Sequence, residues 1–249
     1  LNTVRLGVGD PTIMDALAEI NMEEFKAQAE DVVKELSKKY SGDELHRQVR
    51  ARLRELIEDK YNIHSDLGYI AKLLKEKGLK ALDEIGITLG IPIRPTLAER
   101  LTTPEEIIKK LGKCAVETKL DGFRMQIHKD NDKVIIFSRR QEDMTYMFPD
   151  IVAGVREQIN AKQAIVEGEA IAYDENTGQF FPFQVTIQRK RKYGIKEFAE
   201  KYPLKLFLFD VMYVDGENVM SKPFIERRKL LEKLVKPGKV VTLTEMIIT

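Results

Sequence analysis

Apolar residues recur at spacings of three and four from Asp10 to about Gly90, and no period-two stretch interrupts them. Val32, Val33 and Leu36 form one stripe, Leu53, Leu56 and Ile57 a second, and Leu67, Ile70, Leu73 and Leu74 a third that stops near Gly78. Such spacing puts each set on one face of a helix. Asp10-Pro11 opens the region, with the aspartate expected to cap a helix whose first position the proline takes. Pro92 and Pro95 then hold themselves and the residues before them extended, which suits a junction between units. Residues 1–92 therefore read as an all-α portion and residues 93–249 as an α+β unit.

In the second unit, Thr103-Pro-Glu-Glu106 carries a capping box for a short helix. Strands are predicted over 114–119, 124–129, 134–138, 164–167, 169–173 and 204–213, with Asp130-Asn-Asp132 turning the second into the third. Helices are predicted over 151–159, 195–201 and 225–234. Along 204–214, Leu204, Leu206 and Leu208 share one face and Phe207, Phe209 and Val211 the other, the pattern of a strand covered on both sides. No internal repeat or low-complexity segment is present.

Composition sharpens this division. A chain of 249 residues, 43% hydrophobic, can build one large domain or two ordinary ones. Its 41 basic and 40 acidic side chains leave a net charge of +1, which excludes a polycation, yet residues 1–92 carry −3 and residues 93–249 carry +4. The charged share of 33% exceeds the roughly 25% of an average globular protein and suits the ion-pair networks of a thermophile. Cys114 is alone, so no internal disulfide forms, and it makes no zinc-ligand spacing with His46, His64 or His128. An intracellular, reducing location is expected. There is no run of 18 apolar residues and no signal peptide, so no membrane partner is expected. A leucine start and a last stretch of Glu245-Met-Ile-Ile-Thr249 read as the cut ends of something longer.

Chemistry concentrates in Glu117-Thr-Lys119-Leu-Asp121-Gly122-Phe-Arg124, where a lysine ends one predicted strand and an arginine begins the next across a glycine. An ordinary lysine amine, with a pKa of about 10.4, needs nearby cations or desolvation to attack near neutrality. Alone, the pattern also describes a surface lysine beside a turn glycine. Three segments follow in order: Phe137-Ser-Arg139-Arg140-Gln-Glu-Asp143, Val166-Glu-Gly-Glu169-Ala-Ile-Ala-Tyr173, and Leu208-Phe209-Asp210-Val-Met-Tyr213-Val-Asp-Gly216.

This series resembles the adenylation domain of ATP-dependent DNA ligases of the archaeal and eukaryotic replicative type. Gln184-Val-Thr-Ile-Gln-Arg189-Lys190-Arg191-Lys192 is similar to a basic loop of that group. Gly7-Val-Gly-Asp10 and Tyr61-Asn-Ile-His-Ser-Asp66-Leu-Gly68 resemble the end of its helical DNA-binding domain. The resemblance implies a multidomain protein: part of the DNA-binding domain over 1–92, then an ATP-grasp-like nucleotidyltransferase domain over 93–249 that stops before the family's oligonucleotide-binding fold. It implies nick sealing in replication, repair and recombination, with ATP and Mg2+ as cofactors and nicked duplex DNA and a sliding clamp as partners of a monomer. Lys119 would be the nucleophile, Glu117 the acceptor for the adenine amino group, and Arg124 and Arg139 the holders of ribose and phosphates. Arg139 is preferred to Arg140 by motif position. Glu169, with Glu167 as the alternative on its strand face, would meet the ribose or magnesium. Phe209 would stack on adenine, or is a core aromatic of a buried strand. Arg189, Lys190, Arg191 and Lys192 would touch DNA phosphates, or form a solvated charge run. An RNA ligase, an mRNA capping guanylyltransferase and a non-catalytic DNA-binding module are the alternatives.

Overall fold

Helical spacing at the start of the chain does produce helices. In the computed structural model, which describes residues 7–249, α1 spans Asp10–Ile20, α2 Met22–Gln28, α3 Glu30–Ser37, α4 Gly42–Ile63 and α5 Leu67–Lys77. They belong to one of two compact units, Leu1–Pro95, among whose described residues there is no strand. Leu53 and Ile57 of α4 are fully buried in one core with Met14 and Ala18 of α1 and Ile70 of α5. The stripe of Val32, Val33 and Leu36 is shallower, since α3 buries none of its residues fully. Asp66 caps α5 by accepting the Tyr69 N–H at 3.0 Å, and Gly78 ends it at φ 72°, a left-handed conformation that costs glycine little. The expected cap at Asp10 is corrected: Gly9 occupies the capping position and Asp10 lies inside the first turn. Its carboxylate instead accepts the Tyr61 hydroxyl at 2.7 Å, satisfying a phenol buried in the core.

The second unit, Thr96–Thr249, opens with α6, Pro104–Leu111. The Thr103 hydroxyl accepts the Glu106 N–H, while the Glu106 carboxylate returns to the N–H and hydroxyl of Thr102, one residue earlier than a capping box predicts. Then come β1 Ala115–Glu117, β2 Phe123–Asp130, β3 Lys133–Ser138, α7 Pro149–Gln158, β4 Gln163–Ala172, α8 Phe183–Thr186, α9 Ile195–Lys201, β5 Leu204–Val214, β6 Glu217–Asn218, α10 Phe224–Leu234, β7 Val241–Leu243 and β8 Met246–Ile248. The hairpin between β2 and β3 turns on Asn131 and Asp132, with Asn131 at φ 51°. A six-stranded sheet runs β3-β2-β4-β5-β6, antiparallel throughout, with β7 parallel beside β5, and β1 pairs with β8 in a separate two-stranded sheet.

Alternation gives the large sheet two unlike faces. Met125, Ile127, Val166, Leu206 and Leu208 pack with Ile151 and Val155 of α7 and Leu231 of α10 into the core. The opposite face carries Arg124 beside Glu169, Gln126 beside Glu167, and Asp210 beside Glu167. Two expectations are corrected here. The strands predicted over 164–167 and 169–173 are one strand running through Gly168, where a Cβ would lie 2.6 Å from the Phe207 carbonyl oxygen. Nor is β5 covered on both sides: Leu204, Leu206 and Leu208 are buried, whereas Phe207 and Phe209 are partly open. Pairing of β5 with β4 skips Phe209 and Met212, so simple alternation fails. Val211 consequently joins the core opposite Val166 rather than sharing a face with Phe207.

Candidate active site

Lys119 lies in a loop, not on a strand. β1 stops at Glu117, Leu120 N–H turns back to the Thr118 carbonyl at 3.0 Å, and the exposed lysine donates through Nζ to the Leu120 carbonyl at 3.2 Å. The loop closes on Gly122, which has no alternative there: a Cβ would stand 2.3 Å from the Ala170 carbonyl oxygen and 2.8 Å from Ile171 Cγ1. That close approach lets the Gly122 N–H reach Glu169 Oε1 at 3.0 Å, tying the lysine loop to β4.

Glu169 is a half-buried carboxylate. Burial pushes its pKa up, and the Gly122 N–H and the charges of Lys119 and Arg124 pull it back. Opposite it on β2, Arg124 donates through Nη2 to Glu167 Oε2 at 2.5 Å, and its Cζ lies 5.7 Å from the centre of the Phe209 ring. Its Nε is buried without a protein partner among the described residues. Glu167 is further held by Gln126 at 3.1 Å. Of the two acidic residues that β4 puts on this face, Glu167 is thus committed to neighbours on β2 and Glu169 to the loop of Lys119.

A cavity of about 600 Å3 is lined by Lys119, Arg124, Arg139 and Glu169, together with Arg140 and Lys190. The residues after β3 form a tight loop around the Ser138 hydroxyl, which accepts the N–H groups of Arg140 and Glu142, both at 3.1 Å, with Gln141 at φ 66°. That loop carries Arg139 and Arg140 into the cavity lining, exposed at their tips.

Glu117 and Phe209 are not on this lining. Glu117 Oε1 accepts from Thr244 Oγ1 at 2.6 Å and from Arg228 Nη1 at 3.2 Å. Arg228, buried on α10, also donates to the Thr244 carbonyl at 2.6 Å and to Glu232. Phe209 is one of the two residues of β5 that the pairing skips, and the Asp210 that follows it is gripped by Arg227 through two bonds of 2.8 and 3.1 Å. Arg227, Arg228 and Thr244 were not singled out from the sequence. In Phe224–Leu234 the two arginines share a helix with acidic residues at surface spacing, and nothing local marks which of them turns inward.

The basic loop divides. Arg189 is corrected from a DNA contact to a core residue: 1% exposed, it grips Asp150 through bonds of 2.7 and 3.0 Å and donates to the Tyr202 carbonyl at 2.7 Å. Its Nε is left without a partner among the described residues, but with the side chain 0% exposed none of the guanidinium reaches a phosphate at the surface. Arg191 lies over Phe198, its Cζ 3.4 Å from the ring centre, whereas Lys190 and Lys192 are exposed. Among the described residues no group of three or more His, Cys, Asp or Glu could hold a metal ion by itself, and no helix is long and apolar enough to cross a membrane.

The family model for the ATP dependent DNA ligase domain matches residues 95–249. The chain is 50% identical over 249 residues, its whole length, to a probable DNA ligase of Dictyoglomus thermophilum, of which this covers 38%. It is 44% identical over 247 residues, 99% of its length, to a DNA ligase of Hyperthermus butylicus, covering 36% of that protein. The chain therefore spans less than two fifths of the curated relatives it matches. Among solved structures, the ligase domain of LigD from M. tuberculosis aligns with a TM-score of 0.40 and 22% identity over 54% of this chain and 39% of that one.

Proposed function

The chain belongs to the family of the ATP-dependent DNA ligase domain, and on that premise we propose that it carries the nucleotidyl-transfer centre of an enzyme that seals nicks in duplex DNA. The helical unit is then the end of a DNA-binding domain, and Thr96–Thr249 belongs to the adenylation domain. The observation that carries this reading is the convergence of Lys119, Arg124, Arg139 and Glu169 on one cavity from a loop, two strands and the turn after β3.

In that reading the Lys119 amine attacks the α-phosphorus of ATP. An N–P bond forms, the bond to the bridging oxygen breaks, pyrophosphate leaves with the electron pair, and the amine gives up its surplus proton to water. AMP then passes from Lys119 to the 5′-phosphate at the nick, and the adjacent 3′-hydroxyl displaces AMP to join the strand. Phosphoryl transfer of this kind depends on positioning and on neutralising charge as it moves between oxygens. Arg124 suits positioning, because Glu167 fixes its place while its side chain, 28% exposed, lines the cavity. Arg139, exposed at its tip, suits charge neutralisation.

Magnesium typically takes one or two carboxylates and fills its octahedron with water and substrate phosphates. The carboxylate of Glu169, bonded to a backbone N–H and not to a side-chain cation, fits that demand. When bound, the ion would neutralise phosphate charge. Glu117, with Oε1 occupied and Oε2 left over, offers one acceptor, the complement of a 6-amino rather than a 6-oxo purine.

The test is covalent labelling of the full-length protein. With ATP labelled on the α-phosphate, wild type is expected to form a protein-AMP adduct and Lys119→Ala none. Labelling by GTP in place of ATP, or sealing by Lys119→Ala, would overturn the proposal.

A further inference from the structure

Four basic residues follow Gln188, and each has different surroundings. Arg189 is buried against Asp150, Arg191 lies on Phe198, and Lys192 is exposed. Lys190 is the member of the four that lines the Lys119 cavity. Its backbone is well held: the N–H donates to the Ile187 carbonyl at 3.1 Å, and the guanidinium of the neighbouring Arg189 is pinned by Asp150 and the Tyr202 carbonyl.

Its side chain is held only loosely. Lys190 Nζ stands 3.5 Å from Glu142 Oε2, longer than the roughly 2.7–2.9 Å of a charge-assisted hydrogen bond. The two side chains are 39% and 58% exposed, so the pair contributes little to the fold. Glu142 ends the same loop that carries Arg139 and Arg140, so on this side of the cavity three cations face one carboxylate. A phosphate, carrying up to two negative charges and three acceptor oxygens, outcompetes a lone carboxylate for such a lysine.

Resting on the ligase reading, we infer that Lys190 is a phosphate ligand of the active site and that Glu142 holds its place, yielding Lys190 when a phosphate group enters the cavity. Two sources share that chemistry: the β- and γ-phosphates of the nucleotide and the 5′-phosphate of the nicked strand.

The experiment uses the full-length protein and separates the two. For Lys190→Ala, the ATP concentration that half-saturates self-adenylylation is measured, then the rate of AMP transfer from preformed enzyme-AMP to nicked DNA, then sealing of a pre-adenylylated nick. A nucleotide-tail contact raises the first by about tenfold or more and leaves the transfer unchanged. A 5′-phosphate contact slows the transfer by a similar factor and leaves ATP use unchanged. Either result supports the inference, and Lys190→Arg is expected to restore most of the loss. Glu142→Gln is expected to keep or improve the affected step, because it frees the lysine. Values for Lys190→Ala within twofold of wild type in all three assays overturn the inference, as does a Glu142→Gln variant as impaired as Lys190→Ala. A wild type that forms no enzyme-AMP overturns the ligase reading itself.

Discussion

Replacing Arg189 separates a charge that binds DNA from a charge that holds the fold. Arg189→Met keeps much of the side-chain volume while removing the guanidinium, so the loss is electrostatic rather than a cavity. It leaves the Asp150 carboxylate, 23% exposed, without its two bonds, and the Tyr202 carbonyl without a donor. Breaking one side of a buried ion pair costs about 3–5 kcal/mol, because the remaining charge stays desolvated. For a body of 150–250 residues each kcal/mol lowers Tm by about 2–4 °C, so a fall of about 6–20 °C is expected in the transition of this unit. Differential scanning calorimetry of wild type and variant measures it. DNA affinity well below that transition is measured against salt in parallel. A lost phosphate contact would reduce the slope of log K against log salt by about 0.9, whereas a core pin leaves the slope unaltered. A variant with unchanged Tm and a reduced slope would refute the assignment of Arg189 to the core.

Three other outcomes follow from the same geometry. Gly122→Ala forces a methyl to within 2.3 Å of the Ala170 carbonyl oxygen, so β2 and β4 must part and Glu169 loses its backbone donor; enzyme-AMP formation under saturating ATP is expected to fall by about two orders of magnitude or more, and a variant adenylylated at the wild-type rate contradicts the account. His128 is buried, and desolvation lowers its pKa to about 4 from an ordinary 6.5, so the unfolded chain takes up its proton first on acidification. Its contribution is constant above about pH 6.5 and is lost as pH falls towards 4, at up to about 1.4 kcal/mol per pH unit; denaturant midpoints at pH 7 and pH 5 should converge in His128→Gln relative to wild type. Arg228→Leu releases Glu117 from α10, so the ATP requirement for self-adenylylation is expected to rise by about tenfold, with weaker discrimination against GTP. Unchanged nucleotide selectivity would contradict a positioning role for Arg228.

What the chain reveals before folding is what short stretches decide. Gly78 ends α5 because a left-handed residue is needed there, and Asn131-Asp132 turns a hairpin because those side chains tolerate that backbone. The helix over 195–201 and the strand beginning at Leu204 follow from local period alone. Depth is not a local property. Arg189, Lys190 and Arg191 have equal charge in sequence, yet one is enclosed, one faces the cavity and one lies on an aromatic ring. Glu117 meets Arg228 across a separation of 111 residues, which no window along the chain can register. β1 is shorter than the expected 114–119 for a related reason: its partner is β8, and three residues of pairing define it.

Phe209, the first of the two residues that β5 carries in excess of β4, also restricts how this chain can vary in length. Paired without Phe209 as a bulge, Asp210 would fall opposite Val166 inside the core and Val211 opposite Ile165 on the polar face. The strand is three registers spliced end to end, the first set by Leu204, Leu206 and Leu208, the second by Asp210 and Val211, and the third, past Met212, by Tyr213 and Val214. A substitution at the splice changes one side chain, whereas gaining or losing a single residue there re-addresses every side chain beyond it, including the carboxylate that Arg227 holds. Among homologous chains, alignment gaps between Leu208 and Val211 should therefore be rarer than changes of residue identity, and where one occurs a compensating gap should stand elsewhere in β4 or β5.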